Sequence, residues 1–206
     1  MYARSTTVHG DPKNLDDGML YIHDKVMPAV QQMDGCVGMS MLADRESGRC
    51  IITTSWSDAE AVRASADAVR PMRERASQIF GGSTEVAEWE VSVMHRRHET
   101  GDGAAAQVTW THGDPAAMDE LIDAFRMTIV PRMEERPGFC SVSLMTDRKS
   151  GRAVTAVTYE SRAAMETSRD AGAAMREEFL RSMNRDATET ASFDVVLAHL
   201  RVPETV

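Results

Sequence analysis

The sequence predicts an α+β protein made of two tandem β-α-β-β-α-β units, and two observations carry that expectation. The first is an internal repeat: "DGCVGMSMLADRESGRCIITTSW" from Asp34 to Trp56 returns as "PGFCSVSLMTDRKSGRAVTAVTY" from Pro137 to Tyr159, 103 residues further on. The second is a change of hydrophobic period inside each copy, from strand-like alternation to a helical stripe and back, twice over.

The register of the repeat extends well beyond those two stretches. "HGDP" at His9 returns at His112, Pro28 returns as Pro131, Gly35 as Gly138, and "DAVRPMRE" at Asp67 as "DAGAAMRE" at Asp170. After one inserted residue His95 matches His199. The small, polar stretch "HETGDGAAA" between the copies is linker-like. The expected division is residues 1–96 for the first unit, 97–105 for the linker and 106–206 for the second unit.

The elements follow in order. Strand 1 is Tyr2–His9 in the first copy and Gln107–His112 in the second. Asp11 and Asp114 are N-caps, each followed by proline at the first helical position. Leu15, Met19, Ile22, Val26 and Val30 then form one apolar stripe, as do Met118, Ile122, Phe125, Ile129 and Met133. Strands 2 and 3 join through "DRESGR" and "DRKSGR", where Gly48 and Gly151 suit a turn with positive φ. The second helix starts after "WSDAEA" and carries Val62, Val69, Met72, Ala76 and Phe80; its counterpart carries Met165, Gly172, Met175, Phe179 and Met183. Strand 4 is placed at about Val86–His95 and Phe193–Leu200.

A β-α-β-β-α-β unit is the ferredoxin-like plan, with both helices on one sheet face. The bare face needs a cover, and the second copy supplies one. The expected architecture is therefore two ferredoxin-like units packed sheet to sheet as an intramolecular pseudo-dimeric α/β barrel, with further homo-oligomerisation left open.

Composition narrows the function classes. A formal net charge of −9 with no Lys/Arg cluster is against nucleic-acid or anionic-membrane partners. No apolar run approaches a bilayer span, and the opening "MYARSTTVHGDP" lacks an apolar signal core, so a cytoplasmic location is expected. Cys36, Cys50 and Cys140 show neither disulfide nor zinc spacing, so no metal site is expected. The fifteen methionines are read first as core filler.

"PGF" at Pro137, the doubled "DRxSGR" hairpin and "TTSWSDAEAV" around Trp56 identify a family. Each half resembles the antibiotic biosynthesis monooxygenase domains of the dimeric α/β-barrel superfamily. The resemblance implies an apolar cavity between each sheet and its helices. It also implies a range of activities, from cofactor-independent oxygenation of aromatic polyketide hydroquinones to haem degradation. In the oxygenases the electron-rich substrate itself passes an electron to oxygen, so no cofactor is expected. The protein supplies a dry pocket, orientation and a group that deprotonates the phenol.

The candidate site residues follow from that resemblance. Trp56 matches the tryptophan that lines the family's cavity, and Tyr159 takes its place in the second copy. Trp110 and Phe125 add aromatic surface to a second-copy pocket for a flat ligand, whereas Trp56 and Tyr21 stand in a smaller-residue setting. His9 and His112 end strand 1 and are the candidate bases, against a structural role at the turn that follows. Alternation groups His112 with Trp110 and Val108, and His9 with Thr7 and Ser5; the resemblance turns that face toward the helices. His95 and His199 are expected to be solvent-exposed strand ends. Haem degradation is disfavoured, because no histidine lies between Ser57 and Met94 or between Glu160 and Ala198, and strand 1 begins with Ala3 and Arg4 or with Gln107.

Two functions remain. One is a small-molecule-binding protein of the monooxygenase type that oxygenates a flat aromatic compound without a cofactor. The other is a non-catalytic binding or stress-associated module. The unequal side chains of the two copies weigh toward the second.

Overall fold

The computed structural model describes residues 1–200 and 203–205. Its strands are β1 (Tyr2–His9), β2 (Cys36–Asp44), β3 (Arg49–Trp56), β4 (Ser83–Arg96), β5 (Ala105–His112), β6 (Phe139–Asp147), β7 (Arg152–Tyr159) and β8 (Asp186–Leu200). They hydrogen-bond in the closed order β1-β3-β2-β8-β5-β7-β6-β4, which is the α+β architecture the repeat predicts.

Packing divides the chain into two units that exchange strand ends. The first comprises Met1–Trp89 and the end of β8 from Val195; the second runs from Glu90 to Asp194 and takes in Pro203, Glu204 and Thr205.

In the first unit β3 is central, pairing antiparallel with β1 from Tyr2↔Trp56 to His9↔Arg49, and with β2. Helix α1 (residues 12–31) lies between β1 and β2. It opens as a 3-10 turn capped by the Asp11 carboxylate, which accepts from Lys13 N–H. One turn inside it, Ile22–Val26, is π-helical, and Met27 N–H reaches back to the Ile22 carbonyl. The cause is Pro28: it has no N–H for the carbonyl four residues back, and its ring crowds that turn. Helix α2 (Ala59–Phe80) starts at Asp58, whose carboxylate accepts from Ala61 N–H, and ends at Gly81 with φ +67°.

The second unit repeats the plan. β7 pairs with β5 and β6, β5 with β8, and β6 with the second half of β4. Helix α3 (residues 115–134) carries the same π turn at Phe125–Ile129, three residues ahead of Pro131's neighbour Arg132 and under the same proline constraint. The second helix is split into α4 (Arg162–Thr167) and α5 (Arg169–Ser182), and Asn184 takes over the positive φ that Gly81 holds in the first copy. Three expected starts move earlier: β4 begins at Ser83, β5 at Ala105 and, by the largest margin, β8 at Asp186, seven residues before Phe193. Residues 186–190 are exposed, so no apolar alternation marks them; pairing with β5 is what makes them strand.

Each unit has its own core between sheet and helices. Val8, Leu15, Ile22, Met39, Trp56, Val62 and Phe80 belong to the first, and Phe125, Phe139, Val142, Tyr159, Met175 and Phe179 to the second. The methionines Met39, Met41 and Met118 are fully buried, in keeping with their reading as filler.

Candidate functional site

The first unit holds an apolar cavity of about 50 Å³ between its sheet and its helices. β1 contributes Arg4, Thr6 and Val8 and β3 contributes Ile52 and Thr54, the alternate residues that face the helices. Ile22, Val26 and Val30 come from α1, and Val69, Met72, Arg73 and Ala76 from α2. Ile22 and Val26 sit on the π turn, so the wider backbone that Pro28 imposes also shapes the cavity wall. Val69, Met72 and Arg73 are half-buried and form its outer side.

Two cations meet this apolar surface. Arg4 is only 5% exposed and well satisfied. Its Nη1 donates to Ser65 Oγ at 2.9 Å, its Nη2 to the Val62 carbonyl at 2.6 Å and to Glu88 at 2.8 Å, and its Nε to Glu88 at 3.1 Å. Arg73 makes no hydrogen bond or ion pair with any described residue. Burial, followed by the charges of Arg4 and Arg70, holds its guanidinium below the usual range. Among the described residues no carboxylate, imidazole, thiol or phenol lines the cavity.

The repeat gives the second unit the same frame with other contents. Ile22, Val26, Val30 and Ala76 correspond to Phe125, Ile129, Met133 and Phe179. The Phe125 and Phe179 rings pack edge to face with centroids 6.0 Å apart, in the volume that the smaller set leaves empty. Arg4 and Arg73 correspond to Gln107 and Arg176, and there Arg176 Nη1 donates to Gln107 Oε1 at 2.9 Å.

None of the six residues singled out in the sequence lines this cavity. Trp56 comes nearest: it is fully buried on the helix side of the sheet, and its Nε1–H donates to Oγ1 of the lining residue Thr54 at 3.0 Å. Tyr159 and Phe125 are buried in the second core, where burial pushes the Tyr159 phenol above its usual range. Trp110 is not with them; its ring packs against Phe193 on the opposite sheet face, at 6.4 Å. His9 is 46% exposed, with Nε2 3.9 Å from Glu85, and His112 is exposed.

The phase of strand 1 is therefore the reverse of that expected. Arg4, Thr6 and Val8 face the helices, and Ser5, Thr7 and His9 face away, with Ser5 Oγ accepting from Trp89 Nε1–H at 2.8 Å. The reason is Val8, the one aliphatic residue of that strand half, which must be buried against α1. His95 also departs from expectation. It is 13% exposed, stacked on Phe139, with Nε2 2.8 Å from Glu134 and Nδ1 3.7 Å from Glu204. Arg4 and Arg73 are functional candidates that only the folded arrangement brings out, since they lie 69 residues apart in the chain. The available signal for Arg4 was its place on the same strand face as Val8, four residues on, which is core.

No family model matches the chain. It is 44% identical over 206 residues to the uncharacterized protein Rv2557 of Mycobacterium tuberculosis, covering 100% of this chain and 92% of that one. Among solved structures, an anthrone oxidase-like protein superposes with a TM-score of 0.69 at 16% identity, over 96% of this chain and 92% of the other. An uncharacterized ferredoxin-fold protein related to antibiotic biosynthesis monooxygenases, from Listeria monocytogenes, gives 0.56 at 9% identity, over 95% and 94%. Among the described residues no helix is long and apolar enough to cross a membrane, and no group of three or more His, Cys, Asp or Glu residues is placed to hold a metal ion. The chain belongs to the family of Rv2557, and its fold is the tandem ferredoxin-like fold of antibiotic biosynthesis monooxygenase-like proteins.

Proposed function

We propose that this protein binds a small molecule with an apolar body in its first unit, with one site per chain, and that the second unit serves as its structural partner. The observation that carries this reading is the unequal filling of two matching frames. Ile22, Val26, Val30 and Ala76 leave a cavity where Phe125, Ile129, Met133 and Phe179 close one. A duplicated fold needs both halves to bury both sheets, but it needs only one half to bind.

The size of the site bears on what binds. An apolar cavity of about 150 Å³ accommodates benzene, so a flat polycycle enters this smaller space only if the half-buried Met72 and Val69 move aside. Methionine is the side chain best suited to such movement.

A second reading, oxygenation of an electron-rich aromatic without a cofactor, draws support from the guanidinium pair. With no base in the wall, Arg4 and Arg73 would act by stabilising the phenolate, the form that passes an electron to oxygen.

The test is a titration of protein carrying 13C-labelled isoleucine and valine methyls with small apolar probes. Shifts confined to Ile22, Val26, Val30 and Ile52, with Ile122 and Ile129 unmoved, are the expected outcome. Equal perturbation of both units, or of neither, would overturn the one-site reading. Oxygen uptake with an anthrone-type hydroquinone tests the second reading, which fails if uptake does not exceed that of buffer alone.

A further inference from the structure

We propose that the ligand of the first-unit cavity is an anion with an aliphatic tail, a short-chain carboxylate whose carboxylate group is held by Arg73 with the charge of Arg4 beside it. This deepens the reading of the cavity as the binding site and rests on it.

Three features of the site lead there. Arg73 lines an apolar wall yet has no hydrogen-bond or ion-pair partner among the described residues, so its donors are open to an anion that enters the cavity. Glu88 has its Oε1 bonded twice by Arg4 and is 52% exposed, so it is committed to Arg4, while Glu74, whose charge favours that of Arg73, makes no ion pair with it. Arg70 is itself paired with Asp67, so Arg73 is the guanidinium of this group without an ion-pair partner among the described residues, and the charges of Arg4 and Arg70 outweigh that of Glu74 in disfavouring its charge. A carboxylate reverses that balance, because it accepts the fork of a guanidinium through two oxygens and relieves the repulsion between the arginines.

The rest of the wall excludes other anions. Phosphate or a sugar acid presents polar oxygens on every side, whereas Val8, Ile22, Val26, Val30, Ile52 and Ala76 offer nothing to hydrogen-bond, and of the two lining threonines Thr54 already bonds the Arg4 carbonyl and the Trp56 indole, which leaves the Thr6 hydroxyl. A cavity of about 50 Å³ suits a narrow chain better than a ring. The second unit provides the internal contrast: there the cation pair is replaced by Arg176 bonded to the neutral Gln107, and phenylalanines occupy the tail space. Anion site and tail site are lost together, as expected of two halves of one ligand's site.

The experiment titrates the methyl-labelled chain at pH 7 with straight-chain carboxylates from butanoate to decanoate, and with the alcohols of matching length. The expected result is that the carboxylate binds about tenfold or more tightly than its alcohol, the range of one charge-assisted hydrogen-bond pair. Arg73→Met should bring the two to within about twofold and Arg73→Lys should keep part of the difference, since lysine retains charge but not the fork. Ala76→Phe should abolish binding of both. If acid and alcohol bind alike and Arg73→Met changes neither, the anion inference is overturned while the small-molecule reading stands. If neither class shifts any cavity methyl, both fall.

Discussion

Arg176 donates a hydrogen bond to the side chain of Gln107 at 2.9 Å, and this pair of one cation and one neutral amide stands where the first copy has Arg73 beside Arg4. One arginine is thus kept in both halves, while its companion changes from an amide that satisfies it to a cation that repels it. The phenylalanines over the second pair and the cavity beside the first follow the same division.

Filling the cavity should separate binding from folding. Ala76→Phe copies Phe179 of the second unit, and Ile22→Phe copies Phe125. Overpacking of a full core costs about 1–3 kcal/mol, and because the cavity takes up only part of the ring, the expected change lies toward the lower end of that range. Denaturant unfolding measures it; a loss above that range would mean the space is not available to a ring.

The reverse substitution should be costly. Phe179 is 8% exposed and packs on Phe125, so Phe179→Ala should destabilise by about 3–5 kcal/mol. Urea unfolding reads the change, and a cost below about 1 kcal/mol would contradict the tight packing described for the second core.

Arg4 supports the first unit as well as its charge. It ties β1 to α2 through Val62 and Ser65, and to β4 through Glu88. Arg4→Met should cost about 1–3 kcal/mol, toward the lower end because Glu88 is half exposed and regains water when the arginine is removed. Thermal unfolding at neutral pH checks this, and an unchanged midpoint would mean that the network contributes nothing net.

Asp147 should make the "DRKSGR" turn sensitive to acid. Ser150 Oγ donates to its carboxylate at 2.5 Å and Arg152 lies at 3.1 Å, which brings its pKa down to about 2. A carboxyl depressed in the folded state stabilises above its unfolded pKa of about 4 and loses that contribution as pH falls toward 2. Asp147→Asn should therefore destabilise at pH 7 by on the order of 1–2 kcal/mol and make no difference near pH 2. A penalty that persists undiminished at pH 2 would show that geometry, not charge, is responsible.

Trp56 should report on occupancy. Its indole donates to Thr54 Oγ1, and Thr54 lines the cavity, whereas Trp110 packs away from the helices on Phe193. Ligand-dependent change in tryptophan emission should disappear in Trp56→Phe and persist in Trp110→Phe. Loss of the signal in Trp110→Phe instead would place the ligand on the other sheet face.

Much of this molecule was determined by its sequence alone. The repeat, the proline-started helices and the glycines of the paired hairpins follow from local rules, since caps, turns and apolar periods act within a few residues of themselves. Those rules placed β1 to β3 and both helices of each copy, and they signalled that the two halves differ. They left the face of β1 ambiguous, because "ARSTTVH" alternates without a strong apolar set and a slip of one residue turns Arg4 in and His9 out. Only tertiary packing chose, by burying Val8 against α1. It also decided where space remains: volume is a property of side chains brought together from four elements, so Ala76 and Ile22 read as core in the sequence and became a cavity wall only when folded against Val26, Val30 and Thr54.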